Sequence, residues 1–500
     1  MLYIAYNKIA NKYIPSISFL KTNNLIFNFS QHRCQYKPMR NIPDINSLLN
    51  HPQLSGKLKQ NLLAKLIRQQ INILKETSKD SLNLTVDKNE RLLLTKKIIT
   101  GVIKDVEKLT NYNIKRVING SGVILNTNLG RAPIPQTVVE YLSQNLNAYL
   151  DLEVEIGSGK RIERTRNAEN LLKFLTDAQS CLIVNNNAAA LTLIINTFSL
   201  NKDVIISRGE LVEIGGNFRL PDIIEASGGI LKEIGTTNKT KITDYEKALN
   251  NETGLILKCH KSNFKVLGFT QDVDLLSINQ LKRKIPLVYD LGSGIFEGYL
   301  DVKQAMPIND FIINAKMLQH LDLLCFSADK LLGSLQAGII LGKQKYVNKL
   351  RINPLYRCLR LDKVSIMILE KCLQLYLKQE SFQEFPGLKV LNIDKTNLKS
   401  NVLNFINWLK PELNSLTLRP IETQAILGGG SISDLKINSY GLIIESKKNL
   451  TANSLNKFFR LGKPAIIGQI QHNQYIIDFT TLLNDDLTYL AQAIKELDLS

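Results

Sequence analysis

The chain has 500 residues, too many for one ordinary core, so two to four domains are expected. Apolar residues make up 44% and charged residues 22%, a balance that excludes disorder, collagen and coiled coil as the main architecture. No apolar run reaches the roughly 18 residues that a membrane-spanning helix needs. The nearest, Ala188 to Leu200, is interrupted by Thr192, Asn196 and Thr197.

The net charge of +18 is unevenly spread. Residues 1–43 carry Lys8, Lys12, Lys21, Arg33, Lys37 and Arg40 with no acid, and residues 44–110 hold twelve Lys/Arg against seven Asp/Glu. The first 110 residues therefore carry 11 of the 18 excess charges. A basic front end on a near-neutral body suggests an appended module for a large polyanion. A solvated basic surface from an AT-rich genome, which favours Lys, Asn and Ile, is the plainer alternative. The six cysteines (Cys34, Cys181, Cys259, Cys325, Cys358, Cys372) show no CxxC pairs or regular spacing. They read as reduced thiols in the cytoplasm, with neither a disulfide framework nor zinc indicated. The five histidines form no HExxH-like cluster, which argues against metal hydrolysis.

Residues 1–43 form a basic extension expected to be disordered or untranslated. A mis-assigned start is the preferred reading, since Met39 lies just before the first globular-looking residues, and an organellar presequence is the other. Residues 44–110 read as a small helical domain. From Lys57 to Lys75, at 100° per residue, Lys57, Arg68 and Lys75 fall within about 20° of one another and Lys65 about 80° away. Leu58, Leu62, Leu63, Leu66, Ile73 and Leu74 are expected on the opposite side. A second helix is expected from Arg91 to Leu109, with Leu92, Ile99, Ile103 and Val106 at helical spacing.

From about residue 115 to 345 short apolar runs end in Gly, Asn, Ser or Asp and alternate with helical stretches. Cys181–Val184, Asp203–Ile206, Gly254–Leu257, Pro286–Tyr289 and Asp322–Cys325 are the expected strands. The pattern predicts a parallel α/β sheet with its site along the strand ends, over residues 111–385. Pro386-Gly387 marks the boundary to a C-terminal α+β segment, 386–500, which carries Gly428-Gly-Gly-Ser431.

Three features at strand ends carry chemistry. Lys330 follows one strand in an apolar neighbourhood, where a lysine is costly unless it is used, paired or able to reach the surface. A Schiff base to a cofactor aldehyde is one such use. Asp290 ends an earlier strand and precedes Gly-Ser-Gly. In pyridoxal phosphate enzymes a carboxylate there keeps the pyridinium nitrogen protonated, so that the ring acts as an electron sink. Asn185-Asn186-Asn187-Ala188 turns a strand into a helix start whose amides suit the cofactor's 5′-phosphate, although asparagines there are also ordinary caps. Arg357 and Arg360 are three apart, on one face if helical, and Arg131 lies in the turn-rich run Asn126–Pro133. Guanidinium forks suit tetrahedral oxyanions, although paired surface arginines are often merely solvated.

The runs Arg116-Val-Ile-Asn-Gly-Ser-Gly-Val-Ile-Leu-Asn-Thr-Asn-Leu-Gly-Arg-Ala-Pro133, Val184-Asn-Asn-Asn-Ala-Ala-Ala190 and Ser207-Arg-Gly-Glu-Leu-Val-Glu-Ile-Gly-Gly216 resemble the bacterial selenocysteine synthases, the L-seryl-tRNA(Sec) selenium transferases. So do Glu233-Ile-Gly-Thr-Thr-Asn238 and Ser327-Ala-Asp-Lys-Leu-Leu-Gly333. The likeness runs from about Ile42 to near the C-terminus. It implies a fold-type I pyridoxal 5′-phosphate enzyme with Lys330 as the Schiff-base lysine. It implies that Arg131, Arg357 and Arg360 hold the selenium-donor anion, and that residues 44–110 bind tRNA, through Lys57, Lys65, Arg68 and Lys75 on the basic face. The implied reaction converts seryl-tRNA(Sec) to selenocysteinyl-tRNA(Sec) by β-elimination to an aminoacrylyl intermediate and addition of selenium from selenophosphate. Members of the family assemble as rings of dimers. Ala328 and Ser334-Leu335 depart from the family's Ser-Gly before Asp-Lys and Gly-Pro before Gln-Ala-Gly, which puts efficiency in doubt more than reaction type. Two other readings stay open: a β-eliminating pyridoxal phosphate lyase for a small amino acid or amino sugar phosphate, and a non-catalytic tRNA-binding protein on an enzyme scaffold.

Overall fold

The structure is a computed structural model that describes residues 43–77, 88–111, 114–214, 218–261, 263–282, 284–299, 306–378, 383–392, 395–429, 436–447 and 450–499. The basic extension, apart from Pro43, and Gly430-Ser431 of the glycine run lie outside them. Two compact units divide at Ile114/Lys115.

The first unit holds helices α1 (Ile45–Leu49), α2 (Gln60–Thr77) and α3 (Lys88–Thr110). Asp44 caps α1 by accepting from the amides of Asn46 and Ser47. The buried stripe of α2 is Leu63, Leu66, Ile67 and Ile71, which meets Ile98, Ile99, Val102 and Val106 of α3. Gln70 donates to Asp105 at 2.6 Å across the pair. Three expectations are corrected here. Lys57 lies in the turn that precedes α2, which starts only at Gln60, so it shares no helical face with Lys65, Arg68 and Lys75. Leu62 and Ile73 are half-exposed and Leu92 is exposed, because each faces away from the seam that α2 and α3 share.

The second unit begins with β1 (Val117–Asn119), followed by helix α4 (Arg166–Thr176). A strand–helix alternation follows: β2 (Ser180–Val184), α5 (Asn187–Ser199), β3 (Asp203–Ser207), β4 (Ile230–Ile234), β5 (Thr253–Cys259), β6 (Leu287–Ser293), β7 (Leu323–Ser327) and β8 (Gly338–Gly342). These eight include seven strands of one sheet, ordered β2-β8-β7-β6-β5-β3-β4. Strands β7, β6, β5, β3 and β4 run parallel, and β8 is antiparallel to both its neighbours. The sequence reading found five of these strands and missed β4 and β8.

Both faces of the sheet are covered, which is why its strands read as continuous apolar runs. Alternate residues divide between two clusters: Ile183, Ile256, Tyr289 and Phe326 on one face, and Val184, Leu257, Val288 and Cys325 on the other, against α5. Helices α6 (Gln344–Ile352) and α7 (Leu355–Cys358) follow β8.

C-terminal to these, helix α8 (Lys395–Leu409) packs on an antiparallel sheet of β9 (Leu416–Ile426), β10 (Lys436–Ser446), β12 (Gln469–Gln471) and β13 (Gln474–Asp478). Strand β11 (Ala465–Ile467) pairs parallel with β1, so Ile118 buries in this C-terminal cluster rather than under the larger sheet.

Strand β8 approaches the start of α5 very closely. A Cβ on Gly338 would lie 2.2 Å from the Asn186 carbonyl oxygen, so only glycine fits. Gly338→Ala is therefore expected to destabilise the protein by about 2–3 kcal/mol, read from urea unfolding midpoints, because the clash is with backbone rather than a side chain that can turn away.

Candidate active site

The carboxyl ends of β5, β6 and β7 converge with the start of α5. Asp290 occupies the face of β6 that α5 covers, because Val288, two residues earlier, packs in that cluster. Asn187 Nδ2 donates to Asp290 Oδ1 at 2.8 Å, and Gly292 N donates to the same oxygen at 3.0 Å. The Cys325 thiol, on the neighbouring strand, approaches it at 3.8 Å. Among the described residues no bond reaches Oδ2. Burial pushes the carboxyl above the usual range, against the Asn187 bond and the charge of Lys330, which pull it down.

Lys330 lies three residues beyond β7 in a turn closed by Gly333 N donating to the Lys330 carbonyl. The turn is tied to β6 by Leu331 N donating to Ser293 Oγ at 3.3 Å. Gly333 has φ +69°, a conformation that glycine adopts without the strain a side chain brings. Lys330 is buried, at 5% exposure, and forms no ion pair among the described residues. Burial first, and the nearby charge of Arg131 second, depress its pKa, while Asp290 and Asp329 oppose the shift. An amine in such a place gives up its proton readily and is poised as a nucleophile.

Arg131 donates Nη1 to Asp329 Oδ2 at 2.5 Å, beside Lys330. Its backbone is left-handed, φ +64°, held by its amide donating to the Asn126 carbonyl at 2.9 Å. Non-glycine residues hold that conformation at a cost of about 1–3 kcal/mol and concentrate at functional sites.

The asparagines divide their tasks in a way the sequence reading did not separate. Asn186 caps α5, its side chain accepting from Ala189 N at 2.8 Å, while Asn187 reaches Asp290. What remains for an anion is backbone: the amides of Asn187 and Ala188 are first-turn donors with no acceptor among the described residues. Helix α7 stops at Cys358, so Arg357 and Arg360 do not share one helical face as their spacing suggested. The Leu359 carbonyl instead accepts from Asn185 N at 2.9 Å, which sets this turn beside the start of α5. Arg357 is exposed, and Arg360 lies over the Tyr356 ring at 5.4 Å with its buried Nε unpartnered. No contact joins Arg131 to either arginine among the described residues. His260 shares the opposite face with Tyr289, its Nδ1 3.1 Å from the Tyr289 hydroxyl and its ring against Phe311.

Sequence reasoning missed Asn187 as the partner of Asp290 and Asp329 as the partner of Arg131. The adjacency of Asp329 to Lys330 was the one signal available for the second. For the first there was none, because the bond crosses 103 residues of sequence.

Asp290 also carries a pH signature. A carboxyl raised above its unfolded value favours the folded state while protonated, and that contribution disappears as pH rises through the raised pKa. Cofactor-free protein should therefore lose stability from the acid range towards neutrality, and Asp290→Asn should flatten that decline, as urea unfolding at a series of pH values would measure.

Similarity to known proteins agrees with this geometry. Residues 117–483 match the SelA family model, L-seryl-tRNA selenium transferase. The L-seryl-tRNA(Sec) selenium transferase of Aquifex aeolicus is 40% identical over 80% of this chain and 89% of its own length. That of Campylobacter lari is 40% identical over 91% and 98%. Among solved structures, a D-glucosaminate-6-phosphate ammonia-lyase superposes with a TM-score of 0.54 at 17% identity, over 79% of this chain and 98% of that one. That likeness concerns the fold alone. The architecture is the α/β fold of the fold-type I pyridoxal phosphate enzymes, with a mainly parallel sheet. By the extent of these matches, the chain is a member of the SelA family of L-seryl-tRNA selenium transferases.

Proposed function

We propose that the protein converts L-seryl-tRNA(Sec) to L-selenocysteinyl-tRNA(Sec) with pyridoxal 5′-phosphate as cofactor and selenophosphate as donor. The observation that carries this reading is a buried lysine without an ion-pair partner, beside a carboxylate with one open oxygen, in a chain whose relatives are named for that reaction. The residues fit the cofactor. Asp290 Oδ2 is free for a ring N–H, Lys330 Nζ for the aldehyde, and the amides of Asn187 and Ala188 for the phosphate.

Bound here, pyridoxal phosphate supplies an aldehyde for an amine and an electron sink for charge at the substrate Cα. The chain's own groups do the rest. Lys330 Nζ, kept readily deprotonated by burial, takes the Cα proton of the seryl group. Asp290 Oδ2 holds a proton on the ring nitrogen. Arg131, Arg357 and Arg360 hold the oxyanion of the donor while its selenium adds at Cβ, where the hydroxyl has left as water, and hydrolysis of the P–Se bond then releases phosphate. Residues 44–110 form the tRNA-binding domain, 111–385 the cofactor-binding domain and 386–500 a C-terminal α+β domain. Lys57, Lys65, Arg68 and Lys75, all exposed, meet tRNA phosphates.

The enzyme works in the cytoplasm, a reading supported by five free thiols among the described residues. No helix among the described residues is long and apolar enough to cross a membrane. Assembly as a ring of dimers is supported by apolar side chains held out to water. Leu267 and Phe269 are each 86% exposed, with the Phe269 carbonyl fixed by Asn238 Nδ2 at 2.6 Å.

Two experiments test the reading. Lys330→Ala should abolish borohydride-trappable cofactor and lower selenocysteine formation from seryl-tRNA(Sec) and selenophosphate by about 10³-fold or more, with the released amino acid identified directly. Retained wild-type turnover would refute it. Lys65→Ala and Arg68→Ala should each weaken tRNA binding and lower the slope of log affinity against log salt by about 0.7–0.9. A lyase for a small substrate would show neither change.

A further inference from the structure

Arg351 was not among the candidate arginines, and its surroundings set it apart from them. It lies at the end of α6, two residues before Asn353-Pro354 turns the chain into α7. Its guanidinium donates Nη2 to Glu169 Oε2 at 2.8 Å and Nη1 to Glu169 Oε1 at 3.3 Å, reaching back to α4. Nη2 also donates to the carbonyl of Cys181, at the start of β2, at 3.1 Å. Glu169 is buried, and its Oε1 accepts the Thr165 hydroxyl at 2.8 Å. One fork therefore joins α4, β2 and α6 immediately ahead of the turn that carries Arg357 and Arg360.

We propose that Arg351 is a positioning residue for the selenium-donor oxyanion, acting by fixing the turn that presents Arg357 and Arg360. The inference rests on the donor reading given above and names the group that holds that site in register. Two long guanidinium side chains can meet one tetrahedral anion only if their backbone frame is constant, since small misplacements cost heavily in binding geometry. Apart from Arg351, the turn is held by neutral hydrogen bonds and, just past Arg360, by Arg164 Nη1 donating to the Leu361 carbonyl at 3.1 Å. Asn353 Nδ2 donates to Asn196 Oδ1 at 3.0 Å and Thr197 Oγ1 at 2.8 Å, and Asn185 N donates to the Leu359 carbonyl at 2.9 Å. The bidentate charged pair is the stronger and more directional anchor. Its loss would also leave the carboxylate of Glu169 buried without its counter-charge.

The effect falls on the turn rather than on the cofactor side. Strand β2 is independently fixed by its five-residue antiparallel ladder to β8, from Val184 opposite Gly338 to Ser180 opposite Gly342. Asn187 therefore keeps its bond to Asp290 when the contact to Cys181 is lost. Donor binding should suffer while cofactor binding and the handling of the seryl group persist.

Steady-state kinetics of the cofactor-loaded enzyme, varying selenophosphate and seryl-tRNA(Sec) separately, tests this. Arg351→Met should raise the KM for selenophosphate about tenfold, with kcat, the KM for seryl-tRNA(Sec) and the absorbance of bound cofactor unchanged. Arg351→Lys should recover part of the loss, because an ammonium reaches Glu169 but lacks the fork. Should Arg351→Met fail to fold, Glu169→Gln, which keeps shape and hydrogen bonding, should give a smaller rise in the same KM. Arg357→Ala serves as the reference. If Arg357→Ala raises the donor KM and neither Arg351→Met nor Glu169→Gln does, the positioning role is overturned. A fall in kcat with both KM values rising together would also overturn it, marking Arg351 as a support of the whole fold. If Arg357→Ala leaves the donor KM unchanged, the donor reading falls and this inference falls with it.

Discussion

The hydrogen bond from Asn187 to Asp290 is the interaction on which the site depends. A carboxylate enclosed by β5, β6 and β7 pays heavily for its charge unless something compensates it. Among the described residues no cation pairs with it directly, and the compensation comes from an amide side chain, a backbone N–H and a distant thiol, all directed at one oxygen. The other oxygen is left for a partner that the fold does not supply. An acidic N–H arriving there restores the balance, which ties the stability of the site to its chemistry. The bond also couples two elements distant in sequence, so that the helix start with its anion-binding amides and the strand end with its carboxylate form one rigid frame.

Strand β8 makes that frame possible. It inserts antiparallel between β2 and β7 and brings the strand leading into α5 alongside the strand leading into Lys330. The close approach at Gly338 follows from this insertion. On the other side of the α5 start, Asn185 N holds the arginine turn through the Leu359 carbonyl. One polar junction, Asn185 to Asn187, therefore meets Asp290 through Asn187 and the arginine turn through Asn185, and Asn186 caps the helix between them. Of these three adjacent asparagines only Asn187 lies in the helix, and each has a separate task.

Much of this was legible in the sequence, and the limits have physical reasons. Strands buried on both faces read as uninterrupted apolar runs, so β2, β3, β5, β6 and β7 were visible, and Asp290 and Lys330 stood out as charges at their ends. Strand β8 was not read as a strand because its residues, Gly338-Ile-Ile-Leu-Gly342, follow a motif that drew attention to Lys330 instead. The basic face of α2 was overextended to Lys57 because periodicity alone does not register that the helix begins only at Gln60. Arg357 and Arg360 were placed on a helix face for a similar reason, since spacing of three carries no information on where α7 ends. The roles of Asn187 and Arg351 were illegible altogether, because each depends on a partner more than 100 residues away in sequence.

The way buried charge is compensated differs between scaffold and site. Away from the site, buried charges are closed into ion pairs or, as at Asp478 and Asp498, by hydroxyl and amide donors. Lys258 bonds Glu210 at 2.6 Å and Asp272 at 2.9 Å, and Asp322 takes both Lys282 and Lys343. Such pairs contribute little net stability but leave no charge seeking a partner. Around Lys330 the pattern reverses. Asn187 Oδ1, Asp329 Oδ1 and Arg360 Nε are buried without hydrogen-bond partners, and Lys330 itself has no ion pair among the described residues. Unpartnered hydroxyls and amides occur elsewhere too, on Ser199 and Gln469 for example, but here the open atoms sit on charged groups and on the partner of Asp290, at a cost of about 1–3 kcal/mol for each. A cofactor on one side and an oxyanion on the other would complete these bonds and offset that cost.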